Sequence, residues 1–375
     1  MSVKEDSRNI DNSVAIISGE GAGQAIGEYN GHPKHEQLEP WHRVPTLRRG
    51  DVTYYDRPLL KAPVWKIDIP LYYYLGGAAG AALALGAATQ LARDRRFNDF
   101  IRRCHWIGII GSTAGGALLV HDLGRPSRFL NMMRVFRPTS PMNMGAWILA
   151  GAAPLGILTG MFTRSRPGIL ASVGEVTGYG AGLFGLALAG YTGVLVGNTA
   201  VPVWQQSRRI LPLLFFASAI SSAASLLELT YHESRANKIV TSFGRAGRIL
   251  ELAAAHAMER EAARVPRVAK PLREGLSGVL WKSATLLTAA SLVVSLLPPS
   301  SKAKRRTAGI LGTLGAVCLR MAIHQAGSAS ASDPRASFQQ QRFNGRAITE
   351  GRQPSAASLQ SGESSLPTSH LPARS

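Results

Sequence analysis

A chain of 375 residues with a formal charge of +19 and 45 % hydrophobic side chains has room for two soluble domains. Its apolar residues, however, gather in long blocks instead of recurring at the period of a soluble strand or helix. Only Cys104 and Cys318 are present, which excludes a disulfide framework and, since a cluster takes about four thiolates, any iron–sulfur centre held within the chain.

Residues 1–66 form a polar N-terminal extension without the apolar core of a signal peptide, so the first apolar block is expected to direct insertion. That block runs from Ile69 to Leu91, and a second from His105 to Val120. Each approaches the roughly 20 apolar residues that cross a bilayer. Small residues crowd them, as in Gly76-Gly77-Ala78-Ala79-Gly80 and Gly111-Ser112-Thr113-Ala114-Gly115-Gly116, and small residues let helices approach closely where lipid gives no hydrophobic drive to associate. Between this block and the next lies His121-Asp122-Leu123-Gly124-Arg125-Pro126, running through Arg134-Val135-Phe136-Arg137-Pro138-Thr139-Ser140-Pro141-Met142. So polar a hairpin between two apolar runs belongs at a membrane face. Its prolines hold the backbone away from helix.

Further blocks run from Asn143 to Phe162, Thr177 to Val196, Ile210 to Leu229, Gly275 to Leu297 and Thr307 to Ile323, making seven spans by hydropathy alone. The stretch from Ile239 to Met258 carries Arg245, Arg248, Glu251 and His256 among alanines and leucines. It is either an interfacial amphipathic helix or an eighth span in which Arg248 and Glu251, three residues apart, neutralise each other. From residue 327 the sequence turns to Ser, Ala, Gln, Pro and Arg, which predicts a disordered tail. The domain reading is thus 1–66 extension, 67–326 helix bundle, 327–375 tail. The fold class is an all-α polytopic membrane helix bundle, and the basic excess fits loops meeting anionic headgroups, with no nucleic-acid partner expected.

Chemistry-bearing residues are few. His121 and Asp122 sit at the mouth of the second span, where an acid is costly unless paired; Asp122 either bridges to Arg125 or orients His121 toward a ligand. Arg125, Arg128, Arg134 and Arg137 make a cationic rim suited to headgroups or to an acidic protein partner. Glu228 is an acid near the end of the fifth span, either functional or solvated beside Tyr231-His232-Glu233. Trp281 and Lys282 read as a belt residue and a snorkelling lysine. Tyr179 and Tyr191 either stack on a ring or bond a neighbouring helix. His105 and His121 lie about 24 Å apart along one helix, so they cannot share a haem iron. A cytochrome b-like subunit would therefore need further histidine partners, His256 and His324 being the available ones, and a transporter reading finds no internal repeat.

The hairpin, with Lys61-Ala62-Pro63-Val64-Trp65-Lys66, Gly145-Ala146-Trp147, Tyr191-Thr192-Gly193-Val194-Leu195 and Ala200-Val201-Pro202-Val203-Trp204, resembles the NrfD/PsrC family over most of residues 52 to 343. The resemblance implies a membrane subunit of a multi-subunit oxidoreductase in the bacterial inner membrane, of about eight helices. It further implies a subunit that is haem-free, binds menaquinone or ubiquinone, docks on a four-cluster ferredoxin-like iron–sulfur protein and serves a molybdopterin catalytic subunit. On that likeness His121, Asp122 and Glu228 are candidate proton-handling residues, and His121, Asp122, Arg125 and Tyr191 candidate quinone contacts. Arg125, Arg128, Arg134 and Arg137 are the docking candidates; no metal ligands are expected. Two departures stand out: Tyr72-Tyr73-Tyr74 replaces a more aliphatic and Phe-rich run, and the first span has no histidine.

Overall fold

The blocks become helices, and the helices pair by sequence neighbour. The computed structural model describes residues 10–11, 16–17, 59–125, 127–162, 168–230, 234–298 and 301–352, with the side chains of residues 10–11, 16–17, Arg95, Arg128, Leu130 and residues 344–352 outside that description. The chain divides into units Met1–Thr53 and Tyr54–Ser375. In the first, β1 (Ile10–Asp11) pairs antiparallel with β2 (Ile16–Ile17), Ile10 opposite Ile17.

The second unit is built from α1 (Asp68–Gln90), α2 (Asn98–Asp122), α3 (Ser127–Met133), α4 (Pro141–Phe162), α5 (Ile169–Gly197), α6 (Pro202–Gln206), α7 (Leu211–Glu228), α8 (Ser234–Ala263), α9 (Pro266–Arg273), α10 (Gly275–Leu296), α11 (Lys302–Ser332) and α12 (Pro334–Arg352). Four antiparallel helical hairpins organise it: α1 with α2, α4 with α5, α7 with α8 and α10 with α11. Their tight connections lie at one end. The longer connections, which carry the short helices α3, α6 and α9, lie at the other, as does α12; α6, α9 and α12 touch one another there. Helix α1 is the hub, since it packs on α2, α5, α7 and α11 and is buried along nearly its whole length. A helix apolar all round belongs in such a position.

Among the described residues, six helices are long and apolar enough to cross a membrane: α1, α4, α5, α7, α10 and α11. The reading of His105–Val120 and Ile239–Met258 as further spans rests on helices that composition penalises. In α2 the cause is the polar first turns, with Asp99, Arg102 and Arg103. In α8 the mid-helix charges point inward. Arg248 and Glu251 are buried while Ile249 and Leu250 are half exposed, so the apolar side faces outward and the charged side faces the bundle. Over 30 residues α8 extends about 45 Å, ample for a crossing.

Three expectations change here. Arg248 does not pair with Glu251 in the next turn; it reaches across to α7 and binds Glu228, Nη2 to Oε2 at 2.5 Å, both side chains buried. The tail expected from residue 327 begins instead as helix, because α11 continues to Ser332 and α12 follows to Arg352. Residues 353–375 lie outside the described residues. Trp281 is also no membrane-belt residue: it is 1 % exposed and its Nε1 donates to Glu259 of α8, while Lys282 beside it is exposed.

The alternation predicts eight crossings. In a chain with Cys104 and Cys318 replaced by serine, a single cysteine at Arg96 should react with an impermeant maleimide from one side of the membrane and one at Arg267 from the other. Labelling of both from the same side would leave α8 on the surface.

Candidate functional site

The polar hairpin between α2 and α4 is held by one side chain, Asn143, that no sequence pattern singles out. Asn143 accepts the Arg137 backbone N–H at 2.7 Å and donates from Nδ2 to the carbonyls of Met132 (2.7 Å) and Val135 (2.8 Å). It sits in the first turn of α4, where Ser140 acts as N-cap for its backbone N–H at 3.4 Å and Pro141 opens the helix. At the other end of the hairpin, α2 stops at Gly124, whose φ of +66° only glycine adopts without strain and whose N–H donates to His121 O.

Under this hairpin is a cavity of about 80 Å³. The first turns of α1 contribute Tyr72 and Tyr73, the end of α2 Asp122, α3 Phe129 and Met132, the start of α4 Gly145, and the end of α5 Tyr191. Trp65 lines it as well and stacks on Trp204 at 5.8 Å; Trp204 is itself buried and donates to Ile323 O at 2.9 Å. The Tyr191 ring lies so close over Gly145 that a methyl group there would overlap it, and this explains why glycine stands at that position. The hydroxyls of Tyr72 and Tyr73 are buried without a hydrogen-bond partner, an unusual cost for a group that is normally satisfied. Asp122 forms no ion pair among the described residues, so the bridge to Arg125 is absent and Arg125 is exposed.

Tyr191 also faces a second, lipid-side groove of about 500 Å³ between α4, α5 and α7, lined by Pro138, Met144, Ile148, Leu213 and Phe216. Leu213 and Val194 on its walls are 65 % and 41 % exposed, as side chains that meet lipid would be.

The sequence candidates separate in space. Asp122 and Tyr191 meet in the cavity. His121, one residue away, turns outward: its side chain is 76 % exposed and its Nδ1 lies 3.2 Å from Asp68 Oδ2, tying the end of α2 to the start of α1. Asp122 therefore does not orient it. Glu228 is at the far end of α7, paired with Arg248 at the opposite face and not solvated. Tyr179 donates to Glu175 at 3.2 Å on α5's other end. Arg134 and Arg137 are exposed on the hairpin beside Phe136 and Val135, whereas the Arg128 side chain, like Tyr231-His232-Glu233, lies outside the described residues. Among the histidines weighed as haem partners, His105 and His324 are buried on different helices and His256 is exposed. No three His, Cys, Asp or Glu side chains gather as metal ligands among the described residues. Tyr72, Tyr73, Trp65 and Asn143 were missed. The tyrosine run itself was the available signal, since three consecutive phenols in a span must each find a polar use.

Asn143→Ala deletes three hydrogen bonds of about 1 kcal/mol each. Limited proteolysis between Gly124 and Pro138 should accelerate about tenfold or more while α4 and α5 stay protected. An unchanged cleavage rate would mean that the hairpin is held by other contacts.

No curated protein matches the chain. The profile of the polysulphide reductase NrfD family matches it over residues 58–329.

Proposed function

The chain belongs to the polysulphide reductase NrfD family, whose members are membrane subunits of oxidoreductase complexes, and we propose that its own part is to bind a quinone head group in the cavity under the hairpin. The observation that carries this is the convergence of Asp122, Tyr191 and the two unpartnered hydroxyls of Tyr72 and Tyr73 on one cavity. A quinone presents two carbonyl oxygens to donors and a flat ring to aromatic faces. The lining offers both, with Tyr72 and Tyr73 as donors and Tyr191 and Trp65 as ring partners.

Size adds a condition. About 80 Å³ is room for two or three waters, well short of the roughly 300 Å³ of an ordinary ligand pocket. Entry of a head group displaces Met132 and Met142, flexible thioethers that refill gaps easily. The groove on the other side of Tyr191 supplies the apolar berth for an isoprenoid tail and the route from lipid.

When bound, a quinone accepts or gives two electrons and two protons. Asp122, half-buried at the end of α2 and without an ion pair among the described residues, takes or returns a proton at the cavity wall. The tyrosines orient the oxygens. His121 braces the α1–α2 contact through Asp68 and has no part in binding. Arg125, Arg134 and Arg137 present exposed cations above the cavity, where an acidic iron–sulfur partner, itself joined to a molybdopterin subunit, brings its last cluster near the head group.

Two experiments test the reading on the complex purified from native membranes. Asp122→Asn keeps the size of the side chain and should lower quinone turnover by about 10²-fold or more, with electron transfer from the partner to a water-soluble dye unaffected; full quinone turnover in the variant would move the site elsewhere. Reversing charge at Arg125 and Arg134 together should weaken the attachment of the partner about tenfold at low salt, an effect that fades as salt rises. A partner retained equally by the double reversal would exclude docking through this rim.

A further inference from the structure

A file of buried polar side chains leaves the cavity and runs through α7, α8 and α11 to the opposite end of the bundle. It starts at Tyr73, whose ring meets Phe215 edge-on at 5.6 Å. Arg320 of α11 lies over the same Phe215 ring, 4.0 Å from its centroid, and donates to Phe215 O at 3.1 Å. Its Nε and Nη1 are buried without hydrogen bonds, and the acid Glu251 and the phenols of Tyr73 and Tyr74 are its polar neighbours. Glu251 of α8 is 2 % exposed, lies beside the hydroxyls of Ser218 and Ser221 and leaves its Oε2 unbonded. One turn back along α8, Arg248 donates to Ser225 Oγ at 3.2 Å and grips both oxygens of Glu228. Glu228, in turn, is flanked by Arg245 and Arg305 at the end of the bundle that holds the short loops. From Phe215 to Glu228 is about 20 Å of rise along α7.

A purely structural role accounts for this poorly. Burying a charge in a span is costly, and structural ion pairs repay the cost by satisfying every polar atom. Arg248 and Glu228 nearly do so. Arg320 and Glu251 do not: three of their polar atoms are orphaned. Glycines make room for one of the guanidinium groups, Gly244 and Gly312 beside Arg248. Unsatisfied donors and acceptors in series, with hydroxyls between them, are the arrangement along which a proton passes.

We infer that the file from Glu228 through Glu251 to Tyr73 carries protons between the cavity and the membrane face opposite the hairpin. The inference rests on the cavity being a quinone site. Reduction of the two carbonyl oxygens forms two O–H bonds, with two electrons from the iron–sulfur partner and two protons; the file supplies one proton and Asp122 the other, and oxidation returns them by the same routes. The carboxyls and hydroxyls carry the proton. Arg248 and Arg320 stay charged and hold the carboxyls in place.

The test uses the partner-bound complex in liposomes, with a short-tailed naphthoquinone as probe. In the wild type, a pH dye on the side opposite the hairpin should report proton uptake in step with quinone reduction. Glu251→Gln should slow that uptake about 10²-fold or more, leave naphthoquinone binding, read from tryptophan quenching, unchanged, and remove a carboxyl band from the infrared difference spectrum between oxidised and reduced states. Glu251→Asp should restore part of both signals. Naphthoquinone binding with unaltered proton uptake in Glu251→Gln overturns the file alone, whereas no binding to the wild type overturns the cavity reading and the file together. Should Glu251→Gln fail to assemble, the wild-type spectrum decides: no carboxyl band responding to reduction overturns the file.

Discussion

Everything in the bundle depends on how closely α1 is approached by its neighbours. Gly80 and Gly185 face one another across the α1–α5 contact so tightly that a methyl group on either would collide with the carbonyl oxygen of the other. In lipid no hydrophobic force draws helices together, and backbone-close packing of small residues supplies the attraction instead. Because α1 touches α2, α5, α7 and α11, this spacing sets the separation of the elements that bring Tyr73, Asp122 and Tyr191 together. The cavity is therefore a by-product of close packing in mid-membrane. It opens only near the hairpin, where Tyr72, Tyr191 and the methionines replace the glycines and alanines.

Hydropathy made most of the helices legible because lipid-facing side chains must be apolar, whatever lies behind them. It was least informative where charge faces inward. Helix α8 has Arg248 and Glu251 on the buried side and Ile249 and Leu250 outside, so a windowed average cancels the two. The partner of Arg248 was not visible for a related reason. Spacing along one helix suggested Glu251, but the closest acid is Glu228 on α7, twenty residues earlier, and only the folded hairpin juxtaposes them. The helical stretch after residue 327 was misjudged because small residues read as disorder when isolated. Ala326, Gly327 and Ser330 are small since Trp204 and Val203 pack against that part of α11.

The lining of the candidate cavity was legible in half. Asp122 and Tyr191 could be named from the hairpin's resemblance to a family, and the fold brings them together. His121 shares that motif but not that direction, since neighbours on a helix point about 100° apart and only one of them can face the cavity. Asn143 carries no signature in sequence: its role comes from two free donors and an acceptor placed opposite three backbone groups of a loop. The unpartnered phenols of α1 needed the cavity to be seen before they meant anything.

The Glu228–Arg248 pair also bears on how the chain enters the bilayer. A lone arginine at the centre of a span costs about 2.5–3.5 kcal/mol on insertion scales, and α8 carries two such residues as well as an acid toward its middle. Helix α7 is synthesised first and brings Glu228, so α8 meets its counter-charge already in place and joined through a connection of a few residues. The two helices are thus suited to leaving the translocation machinery as one hairpin. In that order of events α7 serves as an intramolecular chaperone for its successor, and the order of the helices in the gene becomes part of the information that folds the protein.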